Sequence, residues 1–138
     1  MAEPVLDIDV TKVCYIVVKG REFDAQVDVV EPDYGSDAVD DAFRQVLEAY
    51  ADDPTFEELR TFIDALNVDE QCQLVALAWL GRGDYTKDDW NEALTLAREQ
   101  HNDRTSLYLL GIPILADYLE EGLAAFDLTC EDFEMGHL

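Results

Sequence analysis

The chain has 138 residues, 49% of them hydrophobic, and its 32 acidic and nine basic side chains give a formal net charge of −23. This length and this apolar content exclude a disordered chain and predict a single domain that buries its own core. The charge argues against direct binding to nucleic acid or to an anionic membrane, and it suits either a basic protein partner or solubility in a crowded or high-salt cytoplasm.

The expected compartment is the cytoplasm. The first four residues carry no basic segment of the kind that opens a signal peptide. The longest apolar stretch, residues 107–116, contains a proline and is too short to cross a bilayer. Cys14, Cys72 and Cys130 are odd in number and far apart, and each falls in a segment predicted to be helical. We therefore expect reduced, mostly buried thiols.

Residues 8–24 allow two interpretations. The β-branched run Val13–Val18 could be a strand, paired with residues 25–30 across a turn at Lys19 and Gly20. A helix capped by Asp9 is the alternative, and helical spacing favours it at Val10, Val13, Cys14 and Val17. We predict the helix, after an N-terminal tail over residues 1–7.

Two amphipathic helices follow a loop at residues 27–35. Ser36 is expected to cap the first, which ends near Asp52. Pro54 is expected to begin the next, because proline is tolerated at the first helical position. The two predicted inward faces are Val39, Phe43, Val46, Leu47 and Tyr50, then Phe56, Leu59, Ile63 and Leu66.

Residues 67–90 are predicted to form a central helix-loop-helix. Asn67 followed by Glu70 is typical of a reciprocal N-terminal cap. The apolar run Leu74–Leu80 is too dense for a one-sided helix, so neighbours are expected on most sides. Gly81 is predicted to end this helix in the left-handed conformation.

A second capping pair, Thr86 with Asp89, predicts the start of the fifth helix, which is expected to end at His101–Asp103. Its inward face is Trp90, Ala93, Leu94 and Ala97.

A sixth helix is predicted over residues 105–125. Pro113 removes one backbone donor and Gly111 loosens the same turn, so we expect a kink or two abutting short helices. Residues 134–138 are expected to fray. The predicted fold is therefore all-α: a compact single-domain bundle of about six helices over residues 1–138, with a central helix-loop-helix and a kinked sixth helix.

No stretch of the chain predicts a catalytic residue, a metal site or a cofactor. Glu134 and His137 have the Glu-x-x-His spacing of di-iron bundles, but such sites need two of these motifs on opposed helices. Residues 83–90 resemble the second half of a calcium-binding EF-hand loop. The earlier ligand positions would fall on Ala78, Leu80 and Arg82, which offer no carboxylate. The chain is therefore expected to bind rather than to catalyse.

Two sets of residues are candidate sites. Arg82 lies between two glycines next to a helix start, where unpaired amides favour an anion, although Asp84 competes for the same position. This ligand or partner loop comprises Trp79, Gly81, Arg82, Gly83 and Asp84. The other set would line a pocket between the central and sixth helices and adds Tyr108 and Tyr118 to Trp79 and Arg82.

Six runs of residues, which extend over nearly the whole chain, carry a family resemblance. The runs are Val13–Ile16, Arg21–Asp24, Leu74–Asp84, Tyr108–Gly111 with Pro113, Asp117–Gly122 and Cys130–Glu134. They resemble the bacterial, mainly proteobacterial, domain of unknown function 3775, and the Trp79–Asp84 run is a specific family fingerprint. The resemblance implies no assigned activity, substrate or catalytic residue.

Three functions are compatible with these observations. The first is an adaptor or protein-interaction module whose acidic faces or Arg82 loop bind an unknown, basic partner. The second is an enzyme or small-ligand protein that uses the pocket described above. The third is a DNA mimic, which would carry carboxylates spaced like phosphates along one elongated face.

Overall fold

The computed structural model describes residues 6–24, 53–112 and 114–130, and every regular element in these ranges is helical. This confirms the all-α prediction. Within the same ranges, no helix is long and apolar enough to cross a membrane. The elements are α1 (Val10–Asp24), α2 (Pro54–Ala65), α3 (Val68–Arg82), a 3₁₀ turn (Lys87–Asp89), α4 (Trp90–Glu99), α5 (Thr105–Leu110) and α6 (Leu115–Ala125).

The first helix confirms one of the two interpretations of residues 8–24. The Asp9 carboxylate precedes α1 and accepts hydrogen bonds from the backbone N–H and the hydroxyl of Thr11, at 2.9 and 2.8 Å. Val13, Ile16 and Val17 are fully buried along one side of α1, so this run is not a strand. The predicted loop at 27–35, the helix after Ser36 and the frayed end at 134–138 lie outside the described residues.

Helix α3 is the centre of the core, as predicted. All ten residues from Gln71 to Leu80 are buried, and α3 packs against α4, α5 and α6. Its start is the predicted reciprocal cap. The Asn67 side chain accepts from the Glu70 amide at 2.8 Å, and the Glu70 carboxylate accepts from the Asn67 amide at 3.1 Å. A helix without a polar face is stable here because other helices cover it on several sides.

The end of α3 corrects the prediction made for Gly81. The helix continues to Arg82, and the left-handed residue is Gly83, with φ of 97°. The amide of Gly83 donates to the Leu80 carbonyl at 3.2 Å, and that of Asp84 donates to the Trp79 carbonyl at 3.1 Å, the two bonds of a Schellman motif. Gly81 stays helical, and the backbone of α6 occupies the place where a Cβ at this position would lie, which accounts for glycine there.

The start of α4 also differs from the prediction. The Thr86 hydroxyl donates to the Asp89 carboxylate at 3.1 Å, and neither side chain caps a backbone amide. Residues Lys87–Asp89 form a 3₁₀ turn, so α4 begins only at Trp90. It ends at Glu99, before His101, with the Gln100 amide donating to the Leu96 carbonyl at 3.0 Å.

The predicted sixth helix consists of two short helices. Helix α5 ends at Leu110, and α6 begins at Leu115 after Ile114, whose φ is 51°. A left-handed residue cannot continue a right-handed helix, so the chain changes direction here. Of the two options in the prediction, two separate helices rather than one kinked helix are therefore correct.

The cysteines contradict the expectation of reduced thiols. Cys14 of α1 forms a disulfide with Cys130, and their Cα atoms lie 5.4 Å apart although the residues are 116 positions apart in sequence. Helix α1 packs along α6, and Cys130 lies in a bend after α6, not in a helix as predicted. The fold therefore brings the two sulfurs together, which spacing in the sequence cannot indicate. Cys72 is free and buried, and this burial raises the pKa of its thiol.

Candidate functional site

Three of the five predicted loop residues, Arg82, Gly83 and Asp84, lie near the surface at the end of α3 and in the loop after it. The Schellman motif turns the chain so that the Arg82 guanidinium reaches the Asp84 carboxylate, with Nε and Nη2 at 2.9 and 2.8 Å from the same oxygen. An incoming anion would therefore compete with an existing ion pair. Gly83 is exposed between them, whereas Trp79 is 5% exposed and Gly81 faces α6.

The residues suspected of lining a pocket only partly come together. The Trp79 indole N–H donates to the Tyr108 hydroxyl at 2.8 Å, and both side chains are buried in the core. Tyr118 is half-buried on α6, and its backbone carbonyl lies against Gly81. Trp79 and Tyr108 are thus joined by packing between α3 and α5, and Arg82 is directed to Asp84.

The sequence reasoning missed a buried polar contact at the start of α3. The Gln73 side chain is 1% exposed. Its carbonyl oxygen accepts from the backbone amides of Asp7 and Ile8, both at 2.8 Å, and its amide nitrogen donates to Asp69 at 2.8 Å. One side chain thus ties the segment before α1 to the central helix. A glutamine inside an otherwise apolar run was the available signal.

A second glutamine joins three elements. The Gln71 amide nitrogen donates to the Ile63 carbonyl at 2.9 Å, and its oxygen lies 2.7 Å from Nε2 of His101. The polar atoms of Gln71 and Gln73 are thus hydrogen-bonded within the protein, as buried polar groups usually are.

Two ion pairs lie beside these glutamines. Arg98 of α4 pairs with Asp69 at 2.8 Å, and this hydrogen bond is the main cause that lowers the pKa of the Asp69 carboxyl. Lys12 of α1 pairs with Glu70 at 2.6 Å, and its hydrogen bond is the main cause that lowers the pKa of Glu70. Both contacts link α3 to a neighbouring helix.

Most basic side chains of the described ranges are engaged within the protein. At least six of the eight form ion pairs with carboxylates, and Lys87 lies 5.8 Å from the centroid of the Phe126 ring. The remaining carboxylates are left in excess on the surface. Besides the three pairs already given for Lys12, Arg82 and Arg98, the pairs are Lys19–Glu58, Arg21–Glu120 and Arg60–Glu57.

A groove runs along the outer face of α4, which we call the α4 groove. Glu92 and Glu99 are exposed on it, and neither carboxylate has a hydrogen-bond or ion-pair partner in the part of the chain that the structure describes. Tyr85 and Leu96 are half-buried and supply apolar surface. The lining residues are Tyr85, Asn91, Glu92, Thr95, Leu96 and Glu99.

A second groove lies between α1 and α2, and its carboxylates are engaged. Tyr15 and Phe62 meet there with ring centroids 4.5 Å apart. Glu57 pairs with Arg60 at 3.8 Å, and Glu58 pairs with Lys19 at 3.3 Å. Of the two grooves, the α4 groove therefore offers unpaired negative charge to a partner.

None of the predicted site residues lines the α4 groove. The signal for it was nonetheless present in the sequence, because the spacing that places Trp90, Ala93 and Ala97 in the core places Glu92 and Glu99 on the opposite face. In so acidic a chain, the sequence alone did not distinguish these two carboxylates from those that pair with a cation.

A match to one protein family includes the residues of the loop after α3 and of the α4 groove. A family model described as "Protein of unknown function (DUF3775)" matches residues 56–128, more than half of the chain. This range contains the loop after α3 and the whole α4 groove. No curated protein and no solved structure matches the chain.

Proposed function

The chain belongs to the DUF3775 family of unknown function, and we propose that it is a protein-interaction module that binds a basic protein partner. The observation that carries the proposal is the distribution of charge in the described ranges. The chain has 32 acidic and nine basic side chains, and most of the described basic ones are already paired or packed.

This distribution bears on which partner the surface attracts. Arg82, Arg98 and Lys12 have their charge matched by carboxylates of the same molecule, so they offer little to an acidic ligand. Glu92 and Glu99 stay exposed and can pair with cations from outside. An excess of one sign also accelerates encounter with a partner of the opposite sign, most strongly at low salt.

The contacts in the core favour this function over a small-ligand pocket. Trp79 and Tyr108, two of the suspected lining residues, are buried against each other. Cys72, the free thiol of the described ranges, is fully buried with a raised pKa, a state in which a thiol is a poor nucleophile.

Binding of defined peptides to the full chain tests the proposal. Fluorescence anisotropy would compare labelled peptides of equal length that are Lys/Arg-rich, neutral or Asp/Glu-rich, at about 50 mM and about 500 mM salt. We expect binding of the basic class alone, weakened at least about tenfold by the higher salt because exposed charges are screened.

Polyglutamate of matched net charge is the control for unspecific attraction between polyanion and polycation. The protein should discriminate among basic peptides of the same charge by about tenfold or more, whereas polyglutamate should not. Equal binding of all three classes, or binding of none at low salt, would contradict the proposed function.

A further inference from the structure

We propose that the α4 groove binds a basic amphipathic helix, with one apolar side chain between Tyr85 and Leu96 and two cations paired with Glu92 and Glu99. This inference rests on the proposed function and specifies its site and the form of the partner. It is carried by the spacing of the two carboxylates, by the apolar surface of Tyr85 and Leu96 beside them and by the engagement of the nearby cations.

The spacing of the carboxylates fits a helix. Glu92 and Glu99 are seven residues apart on α4, which places them about 10 Å apart along the axis and within about 20° of the same face. A partner helix with Lys or Arg at positions i and i+7 has the same spacing. Its residue at i+3 or i+4 then lies opposite Leu96.

Thr95 and Leu96 lie between the two carboxylates on α4, and the Leu96 side supplies apolar surface that the core supports. Leu96 is half-buried on α4, beside the fully buried Ala97. Tyr85 faces it from the loop after α3, with its ring centroid 6.0 Å from that of the buried Trp79. Because Tyr85 and Leu96 already line one groove, a Leu or Met side chain of the partner meets a surface that is formed before binding.

The cations closest in sequence do not neutralise the groove. Arg98, next to Glu99, is paired with Asp69, and Arg82 is paired with Asp84. Lys87 lies over the Phe126 ring. Each of these side chains would have to give up a contact before it could compete with a partner, so charge complementarity selects a basic occupant.

Two helical peptides of identical composition test this arrangement. Each would have about 18 residues in an Ala/Gln background with Leu at the centre, and the two Arg residues would stand at i and i+7 in one and at i and i+5 in the other. The first pair shares a face, and the second points about 140° apart. At about 50 mM salt, the i/i+7 peptide should bind the wild-type chain about tenfold more tightly than the i/i+5 peptide.

Variants of the chain locate the binding site. Glu92→Gln combined with Glu99→Gln should abolish the preference for i/i+7, and Leu96→Ala should weaken binding of both peptides. The matched control, Glu121→Gln with Asp127→Asn, removes the same charge from exposed positions on α6 and just after it and should change binding less than about twofold. Circular dichroism of each variant would show that the fold is kept.

The outcomes separate this inference from the proposed function. If the Glu92/Glu99 variant keeps its full preference for the i/i+7 peptide, or if the control variant loses as much of that preference, the α4 groove is not the binding site. The proposed function, binding of a basic partner, would still hold in that case. If both peptides bind wild type equally well, the partner is not a helix in this register. If wild type binds neither these peptides nor any other basic peptide, the proposed function itself fails.

Discussion

Gly81 on α3 and Gly122 on α6 lie against each other with no side chain between the two backbones. A Cβ built on Gly81 would lie 2.9 Å from the amide nitrogen of Gly122, and one built on Gly122 would lie 2.5 Å from the carbonyl oxygen of Leu77. Because these obstacles are backbone atoms, they cannot rotate away as a flexible side chain could. The two glycines thus set the separation of α3 and α6, the most extensive helix contact in the described ranges.

Replacing Gly81 with alanine should strongly destabilise the fold. The added methyl group would force α3 and α6 apart and loosen the packing around them, at a cost of about 3 kcal/mol or more. Urea denaturation followed by circular dichroism would measure this loss of unfolding free energy.

Gly20→Ala is the matched control, and it should raise the unfolding free energy where Gly81→Ala lowers it. Gly20 lies inside α1, and its added Cβ would be 3.6 Å from the Cβ of Ala116, an ordinary van der Waals distance. Inside a helix, alanine stabilises the folded state by about 0.5–1 kcal/mol relative to glycine. A loss at Gly20 equal to that at Gly81 would show that close backbone approach is not what distinguishes the two positions.

The elements that the sequence predicted correctly depend on local interactions. The cap at Asn67 and Glu70 and the spacing of Phe56, Leu59 and Ile63 are readable within a few residues, and α2 and α3 begin where they were predicted to begin. The predictions for Gly81 and for the cysteines failed because their reasons are tertiary. Whether a glycine ends a helix or admits a neighbouring backbone depends on α6, which lies far away in sequence.

The same contrast between local and tertiary causes applies to the candidate sites. The sequence identified the Arg82 loop because glycines and charges stand out locally, and the structure adds that Arg82 is bound to Asp84. It did not identify the α4 groove, since only the folded arrangement shows which carboxylates lack a cation. Trp79 and Tyr108, which were expected to line a pocket, are hydrogen-bonded to each other within the core.

Replacing Gln73 with leucine should lower the free energy of unfolding by releasing the segment before α1. The change leaves the amides of Asp7 and Ile8 without their acceptor, and an unpaired buried donor costs about 1–3 kcal/mol. Urea denaturation would give the total loss, and hydrogen exchange at these two amides should accelerate. Gln100→Leu, at an exposed position, is the control, and equal effects of the two substitutions would refute a specific role for Gln73.

Reduction of the Cys14–Cys130 disulfide should lower stability without unfolding α3. A cross-link that closes so long a loop restricts the unfolded chain and stabilises the folded state by about 2–5 kcal/mol. The measurement is the unfolding free energy with and without reductant. Thiol titration in denaturant should give one reactive group before reduction and three after it.

The Cys14→Ser/Cys130→Ser variant is the control for this disulfide prediction. It should be less stable than oxidised wild type and should not respond to reductant. Cys72 should react only on unfolding, because it is fully buried and its thiol pKa is raised. Three reactive thiols in the denatured, unreduced protein would rule out the disulfide.

The ion pair between Lys12 and Glu70 should make part of the stability depend on pH. The hydrogen bond from Lys12 lowers the pKa of Glu70 in the folded state, so the stabilisation is complete above the ordinary glutamate range and is lost as pH falls through the lowered pKa. At about pH 7, Glu70→Gln should be less stable than wild type by about 0.5 kcal/mol, because the pair is partly exposed. Below about pH 4 this difference should shrink, as wild type also becomes neutral at this position. Urea denaturation across this pH range would measure the difference in unfolding free energy.

Glu121→Gln is the control for this pH prediction, because it removes an exposed charge, and it should cause no such loss of stability at about pH 7. If the difference in unfolding free energy between wild type and Glu70→Gln stays constant down to about pH 3, the proposed linkage to the pKa of Glu70 is refuted.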